Sequence, residues 1–97
     1  MPKAYLICYV DITNPTAYDE YRKLATVAGE KYGAHYVARG GKTEVFEGDL
    51  NPERVVIIEF ADAEAARTWY NSPEYTKARE ARAGASKGNF ILVEGVE

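Results

Sequence analysis

The chain has 97 residues, of which 46% are hydrophobic and 28% charged, with a formal net charge of −3. We expect one domain, residues 1–97, large enough to bury a core without disulfides or metal. The charges are mixed rather than gathered in a basic stripe, and no long apolar run follows a basic N-terminal segment, so we expect neither a nucleic-acid partner nor a signal peptide or membrane span.

The first predicted strand, residues 3–12, is apolar on both faces. Its even positions, which include Cys8, are small and aliphatic and suit packing under helices. Its odd positions include Tyr5 and Tyr9, whose apolar rings with polar hydroxyl tips suit an interface or a pocket. Cys8 is the only cysteine, so it can form no internal disulfide. This fits a protein of the reducing cytoplasm. Because Cys8 is in step with Leu6 and Val10, we expect it to be buried on the helix side and therefore inert.

A helix is predicted to begin at Asn14-Pro15, because Asn is a favoured N-cap and Pro is tolerated at the first helical position. Apolar residues then recur at spacings of three and four as far as Tyr32, which gives the helix one apolar stripe. Gly33 is expected to end this helix in the left-handed conformation.

Residues 35–39 and 43–47 are predicted to be extended on either side of Gly40 and Gly41. Two glycines can form either a hairpin turn or a bulge within one strand. We favour one long bent strand, because residues 48–53 make a better-defined turn before the next strand.

The next strand, residues 54–60, is apolar on both faces apart from Glu59, so it needs cover on both sides. Asp62 is expected to cap the helix that follows. A break then leads to a further helical segment, which Ser72 is expected to cap. The last predicted strand is residues 89–95, and it too is apolar on both faces.

The element order β-α-β-β-α-β, with an extra helical segment after the second helix, predicts an α+β fold of the ferredoxin-like type. Right-handed crossovers place the helices on one face of an antiparallel sheet. The other face then carries Tyr9, Ile57 and either Ile91 or Phe90. Burial of apolar surface is worth about 25 cal/mol per Å², so leaving the apolar side chains of this face in water is costly for a domain of marginal stability. A second copy laid on it removes the cost, so we predict a homodimer.

Four stretches carry a family resemblance, namely YGAHYVARGG, EVFEG, RVVIIEF and WYNSPEY. The chain resembles the domain of unknown function 1330 family, small bacterial proteins of the dimeric α+β barrel superfamily. The resemblance spans nearly the whole chain and implies a ferredoxin-like protomer in a face-to-face dimer, but no established activity. The wider superfamily, which is similar in fold only, includes cofactor-free monooxygenases, haem-degrading enzymes and isomerase-like proteins, and fold does not fix function.

The candidate binding residues are tyrosines, a tryptophan and the two charged residues that interrupt apolar strands. We expect a pocket at one end of the sheet, between sheet and helices, that draws on Tyr5, Tyr9, Arg39, Glu59, Trp69, Tyr70 and Tyr75. Arg39 suits bidentate binding of a carboxylate, and an ion pair with a nearby Glu is an equally weighted alternative. Trp69 lies on an apolar helical stripe, which favours core packing over a place in a pocket.

Two functions stay open from the residues alone. The first is binding of a small aromatic or acidic metabolite without chemistry, because the sequence shows no clustered catalytic set. The second is a cofactor-free monooxygenase or isomerase that uses His35, Glu59 or a tyrosine as its acid–base group. His35 is the only imidazole and has no partner at metal-ligand spacing, so we expect no metal and no cofactor.

Overall fold

The computed structural model describes residues 2–96, which form a four-stranded antiparallel sheet and three helices. The elements are β1 (Ala4–Ile12), α1 (Pro15–Tyr32), β2 (His35–Arg39), β3 (Arg54–Phe60), α2 (Ala63–Tyr70), α3 (Pro73–Arg82) and β4 (Ser86–Glu94). The sheet order is β2-β3-β1-β4, so the first strand lies between the third and the fourth. This is the ferredoxin-like arrangement, and the predicted fold class is confirmed.

Capping side chains set the helix boundaries as the sequence predicts. The side chains of Asn14, Asp62 and Ser72 each accept a hydrogen bond from the backbone N–H three residues further on. Gly33 ends α1 with a φ of 75°, in the left-handed region. Each cap satisfies a backbone group that the end of a helix leaves unpaired. No helix among residues 2–96 has the length and apolar character needed to cross a bilayer.

The core lies between the three helices and one face of the sheet. Trp69 and Tyr75 fill its centre, with ring centroids 3.9 Å apart and exposed fractions of 1% and 0%. Cys8 packs on this helix side, in step with Leu6 and Val10, as predicted. Burial raises the pKa of the Cys8 thiol to about 12, so the thiol stays protonated and poorly nucleophilic.

The opposite face of the sheet, which we call the open face, carries no helix within residues 2–96. It presents the odd-numbered residues of β1, β3 and β4, which are Tyr5, Ile7, Tyr9, Asp11, Val55, Ile57, Glu59, Lys87, Asn89, Ile91 and Val93. Ile91 remains 54% exposed and Val93 46% exposed. The single chain therefore leaves one apolar face of its sheet uncovered, as the sequence predicts.

The predicted continuation of the second strand through residues 43–47 is wrong. β2 ends at Arg39, and residues 41–53 form neither strand nor helix. The pairing of β2 runs along β3 only as far as Val56, so a longer strand would have almost no β3 left to pair with. The side chains of Val45 and Phe46 in this segment are 46% and 86% exposed.

Candidate functional site

A β-bulge in β2 decides the direction of the Arg39 side chain. His35 pairs with Glu59 on the open face, and in a regular strand Arg39 would share that face. The register shifts after Tyr36, however, so that Arg39 pairs with Val56, which faces the helices. Arg39 and Glu59 therefore lie on opposite faces of the sheet, and the prediction of one pocket that contains both is wrong.

Tyr5, Tyr9 and Glu59 all lie on the open face, but only Tyr5 pairs with Glu59, whereas Tyr9 pairs with Val55 further along the strand. The Tyr5 hydroxyl donates a hydrogen bond to Glu59 Oε1 at 3.3 Å, and Lys3 Nζ lies 3.7 Å from the same oxygen. Glu59 is thus paired within its own chain, and by residues other than Arg39. His35 is exposed at the same face, opposite Glu59 in the register.

Tyr75 belongs to the core rather than to a pocket. Its hydroxyl lies 2.7 Å from that of Tyr21, and either group can be the donor. Burial raises the pKa of Tyr75 to about 12, so the hydroxyl stays neutral. Core packing, the favoured interpretation of Trp69, is confirmed by its 1% exposure. That Tyr75 contacts a ligand stays a prediction, as it does for Tyr5, Tyr9 and Glu59.

Trp69 and Tyr70 also line a cavity between α2 and strands β1 and β4, which we call the Trp69 cavity. Its volume is about 200 Å³. The lining is mostly apolar and consists of Leu6, Ala66, Arg67, Trp69, Tyr70, Asn71, Phe90 and Leu92. Trp69 Nε1 is buried and has no hydrogen-bond partner among residues 2–96. A buried donor without a partner is costly.

Arg39 lies in a different cavity, between α1 and the β2–β3 edge of the sheet. This arginine cleft has a volume of about 450 Å³ and is lined by Asp19, Arg22, Lys23, Thr26, Arg39 and Arg54. Arg39 Nη2 donates a hydrogen bond to Thr26 Oγ1 at 2.7 Å, and the guanidinium lies over the Tyr36 ring, 4.1 Å from its centroid. These two contacts hold the guanidinium in place while leaving most of its N–H groups free to donate.

Arg54 is, with Arg39, one of the two arginines of the cleft that have no carboxylate partner among residues 2–96, and the sequence interpretation missed it. Arg54 is the first residue of β3, two positions before the buried Val56, so the two side chains lie on the same face of the strand. This alternation could have identified Arg54 as a residue of the helix side. Its guanidinium lies 5.8 Å from the Tyr18 ring centroid, and its Nε is buried without a partner among residues 2–96. A side-chain carbon on Gly40 would lie 2.3 Å from Arg54 Nη1, so a larger residue there would displace this guanidinium.

The arginine cleft carries an excess of positive charge. Asp19 pairs with Arg22 at 2.7 Å, whereas no carboxylate among residues 2–96 lies within 4.0 Å of the Arg39 or Arg54 guanidinium. Burial raises the pKa values of Tyr18 and Tyr36, so the rings beside these arginines stay neutral. The Arg39 guanidinium stacks on Tyr36 and the Arg54 guanidinium lies near Tyr18, an arrangement that suits an anion with an apolar part.

The sequence of this chain matches a family model described as a domain of unknown function (DUF1330) over residues 3–96. The chain belongs to the DUF1330 family. The resemblance carried by the four sequence stretches is thereby confirmed. No curated protein matches the chain at a significant level.

Solved structures similar to this DUF1330 protein share its fold. A protein of unknown function from Rhodopseudomonas palustris has a TM-score of 0.78 at 19% identity, covering 99% of this chain and 84% of its own. SnoaB, a cofactor-independent oxygenase from Streptomyces nogalater, has a TM-score of 0.68 at 13% identity, over 100% and 96% of the two chains. A dimeric ferredoxin-like protein of unknown function from Jannaschia sp. has a TM-score of 0.74 at 12% identity, over 96% and 99%.

Proposed function

We propose that this DUF1330 protein binds a small organic acid, with its carboxylate in the arginine cleft. The observation that carries the proposal is the pair formed by Arg39 and Arg54, neither of which has a carboxylate partner among residues 2–96. Guanidinium groups bind carboxylates through paired, charge-assisted hydrogen bonds. Tyr18 and Tyr36 line a narrow cavity beneath the cleft rather than the cleft itself, and their rings there favour an acid with an aromatic or other apolar body.

The geometry of the cleft lowers the entropic cost of binding such an acid. Thr26 and the Tyr36 ring fix the plane of the Arg39 guanidinium before any ligand arrives. Arg54 is half-buried at the cleft, with its guanidinium against Gly40. Its charge is therefore less screened by water than that of an exposed arginine, which strengthens its attraction for an anion.

Benzoate is a suitable probe of the arginine cleft, because it combines one carboxylate with one ring. Arg39→Ala is expected to weaken benzoate binding by about 1.5–3 kcal/mol, the usual scale for a hydrogen bond to a charged group. Arg39→Lys keeps the charge but loses the planar fork, so it should restore only part of the affinity. Chemical-shift titration of the labelled protein measures all three dissociation constants.

Lys77→Ala is the matched control, because Lys77 is an exposed cation on α3 that does not line the arginine cleft. This variant removes one positive charge and should leave benzoate affinity unchanged. An Arg39→Ala protein that binds benzoate as well as the parent would contradict the proposal.

A cofactor-free monooxygenase or isomerase is the second candidate, and the Trp69 cavity favours it. Its walls are mostly apolar, and the fold is shared with the oxygenase SnoaB. His35 and Glu59 lie on the open face, so Tyr70 is the acid–base candidate that lines this cavity. Oxygen uptake with a fused-ring hydroquinone should then exceed the spontaneous rate, and Tyr70→Phe should abolish the excess. Uptake at the spontaneous rate would count against catalysis of this type.

We also propose that two copies form a homodimer by packing their open faces together. Support comes from the exposed apolar side chains of that face and from the Jannaschia protein, which has this fold and is described as dimeric.

A cytoplasmic location is proposed on a separate ground. The single Cys8 is a free, buried thiol, which suits a reducing compartment.

A further inference from the structure

Residues 43–47, which we call the arm, have a strand-like sequence without a strand beside them among residues 2–96. The arm reads TEVFE, and its β-branched and aromatic residues are of the types enriched in strands. No backbone-to-backbone hydrogen bond within residues 2–96 involves residues 41–53. The side chains of Val45 and Phe46 are 46% and 86% exposed. The arm thus has the properties of a strand that lacks its neighbour.

The outer edge of β4 is a strand edge that lacks a neighbour. β4 is the last strand in the sheet order and pairs only with β1 among residues 2–96. Such an edge presents a row of N–H and C=O groups to which a further strand can bind. β2 forms the other edge of the sheet, but it has five residues where β4 has nine, and it contains a bulge. Short and bulged edges disfavour the addition of a strand, so β4 is the better partner.

The arm and the outer edge of β4 lie on different sides of one chain. The arm joins β2 to β3, and β1 separates these two strands from β4. The cavity that the arm lines includes Tyr9 and Val55 of the open face and no residue of β4. The chain therefore carries an unpaired strand segment on one side of its sheet and an unpaired edge on the other. A second copy of the same chain can complement both at once.

Two-fold packing of the open faces can bring the arm to that edge. A two-fold axis that runs along the strands, between the two sheets, reverses the sheet order, so β4 of each copy lies opposite β2 and β3 of the other. The arm enters β3 at Arg54, which pairs with Val10, and Val10 in turn pairs with Gly88 near the start of β4. The arm of one copy therefore meets the first half of β4 in the other.

The charges of the two segments are complementary. Lys87 is the only cation of β4, and no carboxylate among residues 2–96 lies within 4.0 Å of its ammonium group. The arm contributes two carboxylates, Glu44 and Glu47, and no cation. Opposite charges on neighbouring strands favour their pairing.

We propose that the arm of each copy adds as a strand to the outer edge of β4 in the other copy. Residues 43–47 are then irregular in the single chain and become a strand only in the dimer, with the Phe46 side chain covered by the second copy. This inference rests on the proposed homodimer, and it adds the segment whose main chain joins the two sheets.

Disulfide formation between two differently tagged chains tests the contact directly. One chain carries Asn89→Cys, on the open face of β4, and the other carries a cysteine at each position of the arm in turn. Each chain has one new cysteine and Cys8 is buried, so a disulfide between the two chains reports the new positions. Because the side chains of a strand alternate in direction, we expect disulfides at alternate arm positions. Lys77→Cys, at an exposed position of α3, is the control and should form none.

Loss of an exposed side chain from the arm should weaken the dimer. Phe46→Ser is expected to raise the dissociation constant of the dimer at least about tenfold, because the apolar ring is no longer removed from water. Val27→Ser removes an exposed apolar side chain from α1 and should leave that constant unchanged. Sedimentation over a range of concentrations measures both constants.

Amide hydrogen exchange separates this inference from the dimer itself. The amides of the arm should exchange at least about tenfold more slowly in the parent dimer than in the monomeric variant Ile91→Glu, because strand pairing protects them. A parent protein that is monomeric would overturn the proposed homodimer, and this inference with it. A dimeric parent whose arm exchanges as fast as in Ile91→Glu, or whose arm forms no disulfide with Asn89→Cys, would overturn only the role of the arm.

Discussion

Gly40 allows two arginines to reach the same cleft. Its φ of 76° lies in the left-handed region, where a side chain costs free energy, and the Arg54 guanidinium occupies the space a side chain would need. The adjacent Gly41 has neither constraint, since its φ is not positive and nothing lies within 4 Å of the position of a side-chain carbon. An alanine substitution at Gly40 can therefore be compared directly with one at Gly41.

Gly40→Ala is expected to lower the free energy of unfolding by about 1–2 kcal/mol, the cost of a left-handed conformation in a residue with a side chain. It should also weaken benzoate binding, because Arg54 must move away from the cleft. Gly41→Ala should stay within about 0.5 kcal/mol of the parent protein. Urea unfolding and benzoate titration of both variants measure these effects, and equal behaviour of the two alanine variants would show that Gly40 has no special role.

Single residues differ in how far the sequence determines their place. The caps at Asn14 and Ser72 follow from local hydrogen bonding, so they could be predicted. The direction of Arg39 could not, because one bulge in a five-residue edge strand reverses the alternation of faces, and no local pattern marks it. Because of this reversal, Arg39 lies on the other face of the sheet from Glu59 and shares the cleft with Arg54.

Helices α1 and α3 are tied together at one end by a charged pair. Lys31 Nζ donates a hydrogen bond to Glu74 Oε2, and the Tyr32 hydroxyl donates one to Glu74 Oε1 at 2.9 Å. The hydrogen bond from Lys31 is the main reason that the pKa of Glu74 falls from 4.5 to about 2. The ionised carboxylate therefore stabilises the folded chain above pH 4.5, and this contribution is lost as the pH falls from 4.5 towards 2.

Glu74→Gln is expected to flatten the pH dependence of stability in that acidic range, because glutamine has no carboxylate to protonate. The measurement is urea unfolding of the parent and the variant at several pH values from 2.5 to about 6, which spans the usual range of carboxylate titration. Glu80→Gln, an exposed position further along α3, serves as the control. A Glu74→Gln protein that loses stability with acid as steeply as the parent would argue against the tie.

Helices and strands could be predicted where capping, periodicity or a neighbouring strand of the same chain determines them. The helix break before α3 and the strand β3 follow from capping and periodicity, and both are observed. Residues 43–47 have a strand-like sequence but no strand of residues 2–96 beside them, so they remain irregular. β4 begins at Ser86, earlier than predicted, because β1 offers backbone partners as far as Ile12 and so draws Gly88 into the sheet.

At the scale of the whole molecule, the two faces of the sheet differ in the side chains they carry and in what covers them. The helix face holds the core and both cavities, whereas the open face carries a row of apolar side chains with charged or tyrosine residues at its ends. The seven candidate residues were spread over both faces, because sequence alone gives each strand's alternation but not the cavity it faces. Arg39, Trp69 and Tyr70 line the two cavities of the helix face, whereas Tyr9 lines two further cavities at the open face, beside residues 43–52.

The dimer provides the sharpest test at this scale, and sedimentation of the parent protein at micromolar concentration should give about twice the mass of one chain. Ile91 lies on the open face, pairs with Ile7 and is 54% exposed, so Ile91→Glu would bury a charge at the interface between two open faces. This variant should sediment as a monomer. Val27→Glu changes a residue of α1 that is 60% exposed, and it should remain dimeric. A parent protein that sediments as a monomer, with its apolar face in water, would rule out the dimer.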